Sequence, residues 1–378
     1  MFATQSHTSW LESLSPWPEE FGLERMHALL ALLGDPQRSV PAIHVVGTNG
    51  KSTTTRMIEA LLLDEGIRTG CFVSPHVERW SERIRLGGRE ADFERAIGRV
   101  RRPAEEVGAT QFETLTVAAL AEFAAAGVTA AVVEAGLGGR LDATNVLRTI
   151  TVVLTNVALE HTEQLGATRE KIAAEKLAVI RPGCGVVLGE PEWESLACAN
   201  GAAEVVVATG GNVPLARAAA ETFLGHTVDP EPAQEVALPG RLEVAGTDPL
   251  EIWDGAHNPE GVRYLLSQLS ERPFVLVASI LADKDADGML RLFSRRATGL
   301  VATASKNPRA LSPQELACRA RPYFGDVVAI EDPVEAVRRA RSAVGPRGAI
   351  VVSGSLYLLA ELAAVRSTGL PWGKSPSE

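Results

Sequence analysis

The sequence predicts an α/β fold with two domains: a P-loop mononucleotide-binding domain with a mostly parallel sheet, followed by a smaller Rossmann-like α/β domain. Short β-branched runs alternate with amphipathic stretches along the chain, which is typical of parallel α/β architecture. A glycine-rich segment, Gly47–Ser52, separates one such run from a helical pattern. The length of 378 residues exceeds the size at which single cores stop growing, so two domains are expected.

Strands and helices alternate in the predicted first domain, residues 1–236. The predicted strands are Ala42–Val46, Thr69–Val73, Ala130–Glu134, Thr151–Val157 and Gly185–Leu188. The predicted helices are Glu24–Leu33, Ser52–Glu65, Phe93–Val107, Glu113–Ala126, Arg169–Ile180 and Pro214–Phe223.

The predicted second domain, residues 237–378, repeats the alternation more regularly. Its predicted strands are Leu250–Trp253, Phe274–Ser279, Leu300–Ala304, Val327–Ile330 and Ala349–Val352. Its predicted helices are Gly261–Leu269, Gly288–Arg296, Pro313–Arg319, Val334–Ala343 and Tyr357–Val365. Three prolines fall within Val228–Pro239, and since proline cannot continue a helix or a central strand, this segment is the predicted linker, with the boundary near Val236.

Composition limits the partners of the chain. Hydrophobic residues make up 46% and charged residues 22%, an ordinary globular balance. The formal charge of −10 argues against a nucleic-acid partner, which requires a basic face. No apolar stretch reaches the roughly 18 residues that cross a bilayer, and no signal peptide is evident, so no membrane partner and a cytoplasmic location are expected. The cysteines lack metal-ligand spacing and are expected to be small buried residues: Cys71, Cys184, Cys198 and Cys318.

The segment Gly47–Ser52 predicts a phosphate site because a predicted strand precedes it and a helical pattern follows it. Its glycines let backbone N–H groups turn toward phosphate oxygens, and the helix N-terminus adds its dipole. Lys51 supplies a mobile cation, and the hydroxyl after it suits Mg²⁺. Val45 stands where the general pattern has another glycine, so the match is to the shorter GxxGK[ST] form. The alternative is a glycine-rich turn without a ligand.

Polar residues follow three further strands of the predicted first domain. Ser74, Glu134 and His161 stand at or just beyond the carboxyl ends of their strands. Because these ends meet at the edge where open α/β sheets bind ligands, oxygen and imidazole groups are expected near the phosphate loop, as a nucleotide-bound metal requires. Taken singly, each residue has a simpler interpretation as a cap or a hydrogen-bonded structural group.

Lys176 lies in the middle of an apolar stripe. Ile172, Ala173, Leu177 and Ile180 share its face of the predicted helix by the i, i+4 rule. Such a lysine either extends its amine to the surface or stays buried and takes part in the reaction. In the second case burial lowers the pKa of the amine. The pattern by itself favours the surface interpretation.

In the second domain, Asp254–Pro259 lies between the first predicted strand and the first helix. This is again a position at which ligands bind, but Asp254 or Asn258 is equally well explained as the N-cap of that helix.

Together these motifs resemble the bacterial folylpolyglutamate synthase/dihydrofolate synthase family of the Mur ligase superfamily. The resemblance runs in order from about Trp10 to Leu359. It rests on Gly47–Ser52, Ser74–His76, Phe112–Thr116, Glu134–Asp142, Glu160–Thr162, Lys171–Lys176, Leu238–Arg241, Asp254–Pro259 and Ser353–Tyr357.

The resemblance implies an ADP-forming ligase, active as a monomer, that uses ATP and Mg²⁺ to join L-glutamate to dihydropteroate or a reduced folate through an acyl phosphate. The residues it implies as catalytic are Lys51, Glu134, His161 and Lys176, the last as a carbamylated lysine. Those implied for nucleotide binding are Gly47, Thr48, Asn49, Gly50, Lys51, Ser52, Thr53, Asn212, Arg241, Asp254 and Asn258. The implied metal residues are Ser52, Thr53, Ser74, Glu134 and His161, and the implied pterin residues are Phe112, Glu113 and Asp142.

Alternative functions stay open at this stage. The family usually has Gly-Lys-Gly-Ser where this chain has Gly50–Thr53, so either Ser52 or Thr53 could hold Mg²⁺. The shorter stretch Pro182–Pro239 leaves room for a ligase acting on a non-folate acid, and a catalytically silent nucleotide-binding relative is the third option. Cell-wall ligases carry a nucleotide-sugar domain before the phosphate loop, for which the 46 residues before Gly47 are too few.

Overall fold

The computed structural model describes residues 5–344 and 348–367. The chain divides into two compact units, Met1–Val236 and Ala237–Glu378. Each unit contains one sheet, and the strands of both sheets are mostly parallel.

The first unit is built on an eight-stranded sheet with the order β4-β3-β2-β5-β1-β6-β7-β8. Its strands are β1 Pro41–Val46, β2 Thr69–Phe72, β3 Ile84–Leu86, β4 Arg89–Glu90, β5 Ala130–Glu134, β6 Arg148–Leu154, β7 Gly185–Leu188 and β8 Glu204–Val207. The β2–β3 and β3–β4 pairs are antiparallel, and the other pairs named in this order are parallel. The central strand β1 pairs in parallel with β5 and β6, so the residues that follow these three strands emerge at one edge.

Helices cover both faces of this sheet. They are α1 His7–Glu12, α2 Glu24–Leu32, α3 Lys51–Asp64, α4 Phe93–Val107, α5 Gln111–Ala126, α6 Thr162–Leu165, α7 Arg169–Leu177, α8 Glu194–Ala199, α9 Asn212–Leu224 and α10 Glu231–Gln234. Successive residues of a strand point to opposite faces. Ala42 of β1 packs in the cluster formed by α4 and α5, whereas Ile43 packs in the cluster formed by α3 and α9.

The second unit has a six-stranded sheet with the order β13-β12-β11-β14-β10-β9. Its strands are β9 Glu243–Thr247, β10 Leu250–Trp253, β11 Phe274–Ala278, β12 Ala297–Ala302, β13 Val327–Ala329 and β14 Ala349–Ser353. Its helices are α11 Pro259–Gln268, α12 Ala286–Phe293, α13 Pro313–Ala320, α14 Pro333–Ala343 and α15 Leu356–Ser367. Only β9 runs antiparallel to its neighbour.

Several sequence predictions need correction. Strand β6 ends at Leu154, three residues before the predicted end. The predicted linker contains a helical turn, α10, because Pro232 lies at its second position, where a missing N–H costs little. Cys198 and Cys318 are exposed rather than buried.

Among the described residues, the structure contains no helix long and apolar enough to cross a membrane.

Candidate active site

The phosphate loop, Gly47–Gly50, connects β1 to α3 and is braced by the residues that follow β6. The backbone N–H of Thr48 donates to the Asn156 carbonyl at 2.9 Å, and that of Asn49 donates to the Asn156 side-chain oxygen at 3.0 Å. The Thr155 hydroxyl donates to the Asn49 carbonyl at 2.7 Å. These bonds fix the loop beside the N-terminus of α3, where anions bind.

Gly50 is the loop residue at which a side chain would disturb this arrangement. Its φ of 80° is left-handed, and a Cβ placed on it would lie 2.7 Å from Oδ1 of Asn212. That same oxygen accepts from the Thr54 hydroxyl at 3.4 Å. We therefore expect Gly50→Ala to displace the loop and to lower ATP affinity by about tenfold or more in a calorimetric titration, because binding geometry is sensitive to displacements of this size.

Gly34→Ala is the matched control for Gly50→Ala. Gly34 has a φ of 77°, and apart from its own atoms and those of its two chain neighbours, no atom of the described residues lies within 4 Å of a Cβ placed there. This variant should lose about 1 kcal/mol of stability through the left-handed conformation and keep its ATP affinity. If Gly50→Ala binds ATP as tightly as Gly34→Ala, the loop is not the ATP site.

Glu134 lies at the end of β5 and is 2% exposed. Its Oε1 accepts from the Ser52 hydroxyl at 3.1 Å, and its Oε2 accepts from the backbone N–H of Ser74 at 2.9 Å. The parallel register places Glu134 opposite Val45, two residues before the phosphate loop. The structure thus brings together three of the sequence-predicted metal residues. Their oxygen atoms are the ligand type that Mg²⁺ prefers, so this set fits the metal that the sequence predicts.

His161 is a further residue that the sequence predicts as a metal ligand. It precedes α6 with a φ of 50°, and its exposed imidazole lies 3.8 Å from the Glu160 carboxylate. In the described part of the chain, no three His, Cys, Asp or Glu side chains form a group that could hold a metal. The role of His161 as a metal ligand stays a prediction, as does the role of Thr53. Of the two neighbouring hydroxyls, that of Ser52 is the one bonded to Glu134.

Lys176 is buried and does not reach the surface, so the surface interpretation favoured by its pattern is wrong. The side chain is 4% exposed, and its Nζ donates to the Gly47 carbonyl at 2.6 Å. Burial, together with the positive charge of Lys51, lowers the pKa of Lys176 to about 7. Close to neutral pH, this amine therefore exists in both its charged and its neutral form.

The loop that follows β5 packs against α7, the helix that contains Lys176. A Cβ on Gly139 would lie 2.6 Å from the Lys176 carbonyl oxygen, and the N–H of Arg140 donates to the Glu175 carbonyl at 3.1 Å. Helix α7 therefore contacts the phosphate loop through the Lys176 side chain and the loop 135–142 through its backbone.

A pocket opens beside this second loop. Its empty volume is about 340 Å³, part of it open to solvent, and it is lined by Trp17, Pro18, Phe21, Gly22, Thr110, Phe112, Glu113, Leu137, Leu141, Asp142 and Ala143. The rings of Trp17 and Phe112 form part of the wall, with centroids 6.0 Å apart. The structure thus brings the three predicted pterin residues, Phe112, Glu113 and Asp142, to one pocket with an aromatic wall and two carboxylates.

The two carboxylates of the pocket are already hydrogen-bonded. Glu113 accepts from Nε of Arg25 at 3.1 Å and from the N–H of Thr110 at 2.8 Å, as the N3 residue of a capping box. Asp142 accepts from the backbone of its own loop, from Leu137 N at 2.7 Å. Burial nevertheless raises the pKa of Asp142.

The predicted nucleotide residues of the second unit have local roles there. Asn258 is the N-cap of α11, accepting from Gly261 N at 2.8 Å. Asp254 accepts from the N–H groups of Leu242 and Ala256, each at 2.9 Å, and burial raises its pKa, which the nearby Arg241 opposes. The structure therefore supports the cap interpretation for Asn258. For Arg241 and Asp254 the nucleotide contact stays a prediction.

Sequence reasoning missed Thr155 and Asn156. The predicted strand ran to Val157 and placed both residues inside the sheet, whereas the observed strand ends at Leu154 and leaves them in the turn beside the phosphate loop. The preference of asparagine for turns is the signal that could have moved the boundary. Arg25 was also missed, because its partner Glu113 is 88 positions away.

Known proteins match this chain over most of its length. Residues 45–183 match the Mur ligase middle domain, and residues 240–356 match the Mur ligase glutamate ligase domain. A Mycobacterium tuberculosis dihydrofolate synthase/folylpolyglutamate synthase is 32% identical over 420 residues, covering 90% of this chain and 84% of that protein. A probable bifunctional folylpolyglutamate synthase/dihydropteroate synthase from Haloferax volcanii is 33% identical over 400 residues, but the chain spans only 48% of its length.

Solved structures give the same result. The Mycobacterium tuberculosis folylpolyglutamate synthase complexed with ADP superposes with a TM-score of 0.86 at 30% identity, covering 98% of both chains. A bifunctional folylpolyglutamate synthase/dihydrofolate synthase from Yersinia pestis, complexed with AMPPNP and Mn ion, gives 0.84 at 31% identity, covering 96% of this chain and 98% of that one.

Proposed function

The chain belongs to the folylpolyglutamate synthase/dihydrofolate synthase family of Mur ligases, and we propose that it joins L-glutamate to the carboxylate of dihydropteroate or a reduced folate with ATP as the energy source. In this proposal residues 1–236 form the ATP-binding catalytic domain and residues 237–378 the C-terminal ligase domain. The chain acts as a monomer in the cytoplasm, where ATP and L-glutamate are abundant, and it needs no nucleic-acid partner.

One observation carries this proposal: α7 contacts both the phosphate loop and the loop of the aromatic pocket. The Lys176 amine bonds to Gly47, and the backbone of the same helix packs on Gly139. A flat aromatic acid in the pocket and the phosphates of ATP on the loop would therefore be held by one rigid element. Such preorganisation is what the joining of two bound reactants requires.

The proposed reaction has two steps. A carboxylate oxygen of the acceptor attacks the γ-phosphorus of ATP, giving an acyl phosphate and ADP. The nitrogen of L-glutamate then attacks the acyl carbon; phosphate leaves with the electrons of the carbon–oxygen bond, and the nitrogen loses a proton. Activation of the carboxylate divides one difficult condensation into two easier displacements.

The residues of the chain have separate tasks in these steps. The phosphate loop and Lys51 bind the ATP phosphates, and Ser52 with Glu134 would hold Mg²⁺, which shields the charge on the transferred phosphoryl group when it is bound. We propose that the neutral amine of Lys176 reacts with CO₂ to form a carbamate, with loss of one proton. The pKa of about 7 supports this step, because only the unprotonated amine is a nucleophile.

A screen of acceptor acids tests the proposal. We expect ADP release to require Mg²⁺ and L-glutamate together with dihydropteroate or a reduced folate. Turnover with another aromatic acid but with neither pterin would contradict the folate assignment and favour the non-folate ligase. The absence of ADP release with every acceptor would favour the silent nucleotide-binding protein.

A further inference from the structure

Three buried polar side chains form a line from the central strand to the pocket. His44 of β1 and Thr144 are fully buried, and Asp142 is 5% exposed. The His44 Nε2 lies 2.8 Å from the Thr144 hydroxyl oxygen, and that hydroxyl makes a short hydrogen bond to Oδ1 of Asp142. The three residues therefore form one continuous relay between the sheet and the pocket wall.

The hydrogen-bond roles along this line follow from an ionised Asp142 carboxylate. An ionised carboxylate only accepts hydrogen bonds, so the Thr144 hydroxyl donates to Asp142 and must itself accept from Nε2–H of His44. The other ring nitrogen, Nδ1, has no hydrogen-bond partner among the described residues, as expected for the unprotonated nitrogen, because a buried N–H without a partner is rarer than an unpaired acceptor. Burial, with a contribution from Arg181, lowers the pKa of His44 to about 3, so the ring is neutral near pH 7.

The relay determines the orientation of the carboxylate. Oδ1 of Asp142 accepts from both the hydroxyl and the backbone N–H of Thr144, the latter at 3.0 Å. Oδ2 accepts from Leu137 N at 2.7 Å. With both oxygens held, the carboxylate plane cannot rotate freely, and the carboxylate keeps a fixed direction at the pocket wall.

We propose that Thr144 and His44 are positioning residues for the acceptor substrate: they fix the Asp142 carboxylate so that it accepts a hydrogen bond from an N–H group of a flat heteroaromatic ring. Thr144 acts directly on Asp142, and His44 acts through Thr144. This inference rests on the proposed function, because it gives the pocket to the acceptor acid.

Thr144→Val tests the relay because it removes the hydroxyl at nearly constant volume. Hydrogen bonds to charged groups contribute enough to change binding by about tenfold or more, so we expect the KM for the pterin acceptor to rise by about tenfold. The KM values for ATP and L-glutamate should stay unchanged. Thr144→Ser, which keeps the hydroxyl, should restore most of the lost affinity.

Thr151→Val is the control for removing a buried hydroxyl from this sheet. Thr151 is fully buried in β6, and its hydroxyl has no hydrogen-bond partner among the described residues. The variant should have wild-type kinetics for all three substrates, whereas a general effect on the sheet would change Thr151→Val and Thr144→Val alike.

The pH dependence of kcat/KM for the acceptor would not change if Thr144 had a purely structural role. A donated hydrogen bond lowers the pKa of a carboxyl group, so its loss in Thr144→Val should shift the acidic limb of kcat/KM for the acceptor to higher pH. Three titratable or charged groups lie near Asp142. His44 is linked to it by the Thr144 hydroxyl, Glu113 lines the same pocket, and the charge of Asp142 partly opposes the lowering of the Lys176 pKa. Because the substitution leaves these groups in place, the shift between variants reports on the removed bond.

His44 provides a second, independent pair of variants. His44→Gln can still donate from its side-chain amide and should stay within about threefold of the wild-type acceptor KM, whereas His44→Leu cannot donate and should resemble Thr144→Val. Equal acceptor KM values for His44→Gln and His44→Leu would overturn the role of His44. If Thr144→Val does not fold, this pair decides the proposal by itself.

Different results would contradict the relay and the proposed function. Wild-type protein that turns over no pterin acceptor contradicts the proposed function. Wild-type protein that turns over pterins, with Thr144→Val showing the same acceptor KM and pH profile, contradicts the relay only.

Discussion

Lys176→Ala is expected to reduce glutamate-dependent ADP release by a factor on the order of 100, because loss of a residue that orients a metal or phosphate site has effects of this size. Two contributions disappear together. The hydrogen bond from Nζ to the Gly47 carbonyl, 2.6 Å long, no longer braces the phosphate loop. The carbamate can no longer form, because it requires an amine. Steady-state ADP release at saturating substrates measures the loss.

Lys171→Ala is the matched control on the same helix. Lys171 lies on the exposed side of α7 and should be replaceable without loss of activity. If the carbamate matters, a small added carboxylic acid such as acetate should partly restore Lys176→Ala and leave Lys171→Ala unchanged. Wild-type rates in Lys176→Ala would contradict both roles of the residue. A slow variant that acetate does not restore would contradict the carbamate and support only the hydrogen bond to Gly47.

Glu134→Gln is the second substitution with a large expected effect. The neutral amide cannot contribute negative charge to a metal, and it can accept a hydrogen bond from Ser52 or Ser74 through only one of its two ends. We expect ADP release to fall on the order of 100-fold and the Mg²⁺ concentration for half-maximal rate to rise, since oxygen ligands of Mg²⁺ sites include a carboxylate. A titration of the rate against Mg²⁺ measures both effects.

Glu122→Gln separates this effect from the general cost of altering a buried carboxylate. Glu122 is 1% exposed and pairs with Arg95 and Arg99, each at 2.8 Å. Its substitution should lower the melting temperature without changing the Mg²⁺ requirement. If the two glutamine variants have the same Mg²⁺ dependence, Glu134 is not part of the metal site.

The strongest elements of the fold could be predicted from the sequence because burial is visible in composition. Strands β5, β7 and β10 begin and end at the predicted residues, since each is a short, mostly apolar run with a glycine or proline close to its ends. The strands that were missed, such as β4 with its two exposed residues, lie at sheet edges or are too short to show a pattern. The family resemblance, from ordered motifs, agrees with the matched domains.

What the sequence could not predict depends on contacts between distant residues. The apolar stripe around Lys176 was correct, but the direction of its amine depends on the Gly47 carbonyl, 129 positions away. In the sequence, His44 is one polar residue in an apolar strand. Only the structure shows that its partner is Thr144, 100 positions away. For both residues the local pattern shows only that they stand among apolar neighbours, and the fold is needed to identify the partner.

Mass spectrometry of the reaction, with the acceptor carboxylate labelled with heavy oxygen, shows whether the carboxylate is activated as an acyl phosphate. We expect a product that has gained one glutamate residue by an amide bond, and released phosphate that carries a labelled oxygen from the carboxylate. Amide product with unlabelled phosphate would contradict the acyl phosphate, and ADP release without a glutamylated product would contradict the ligase itself.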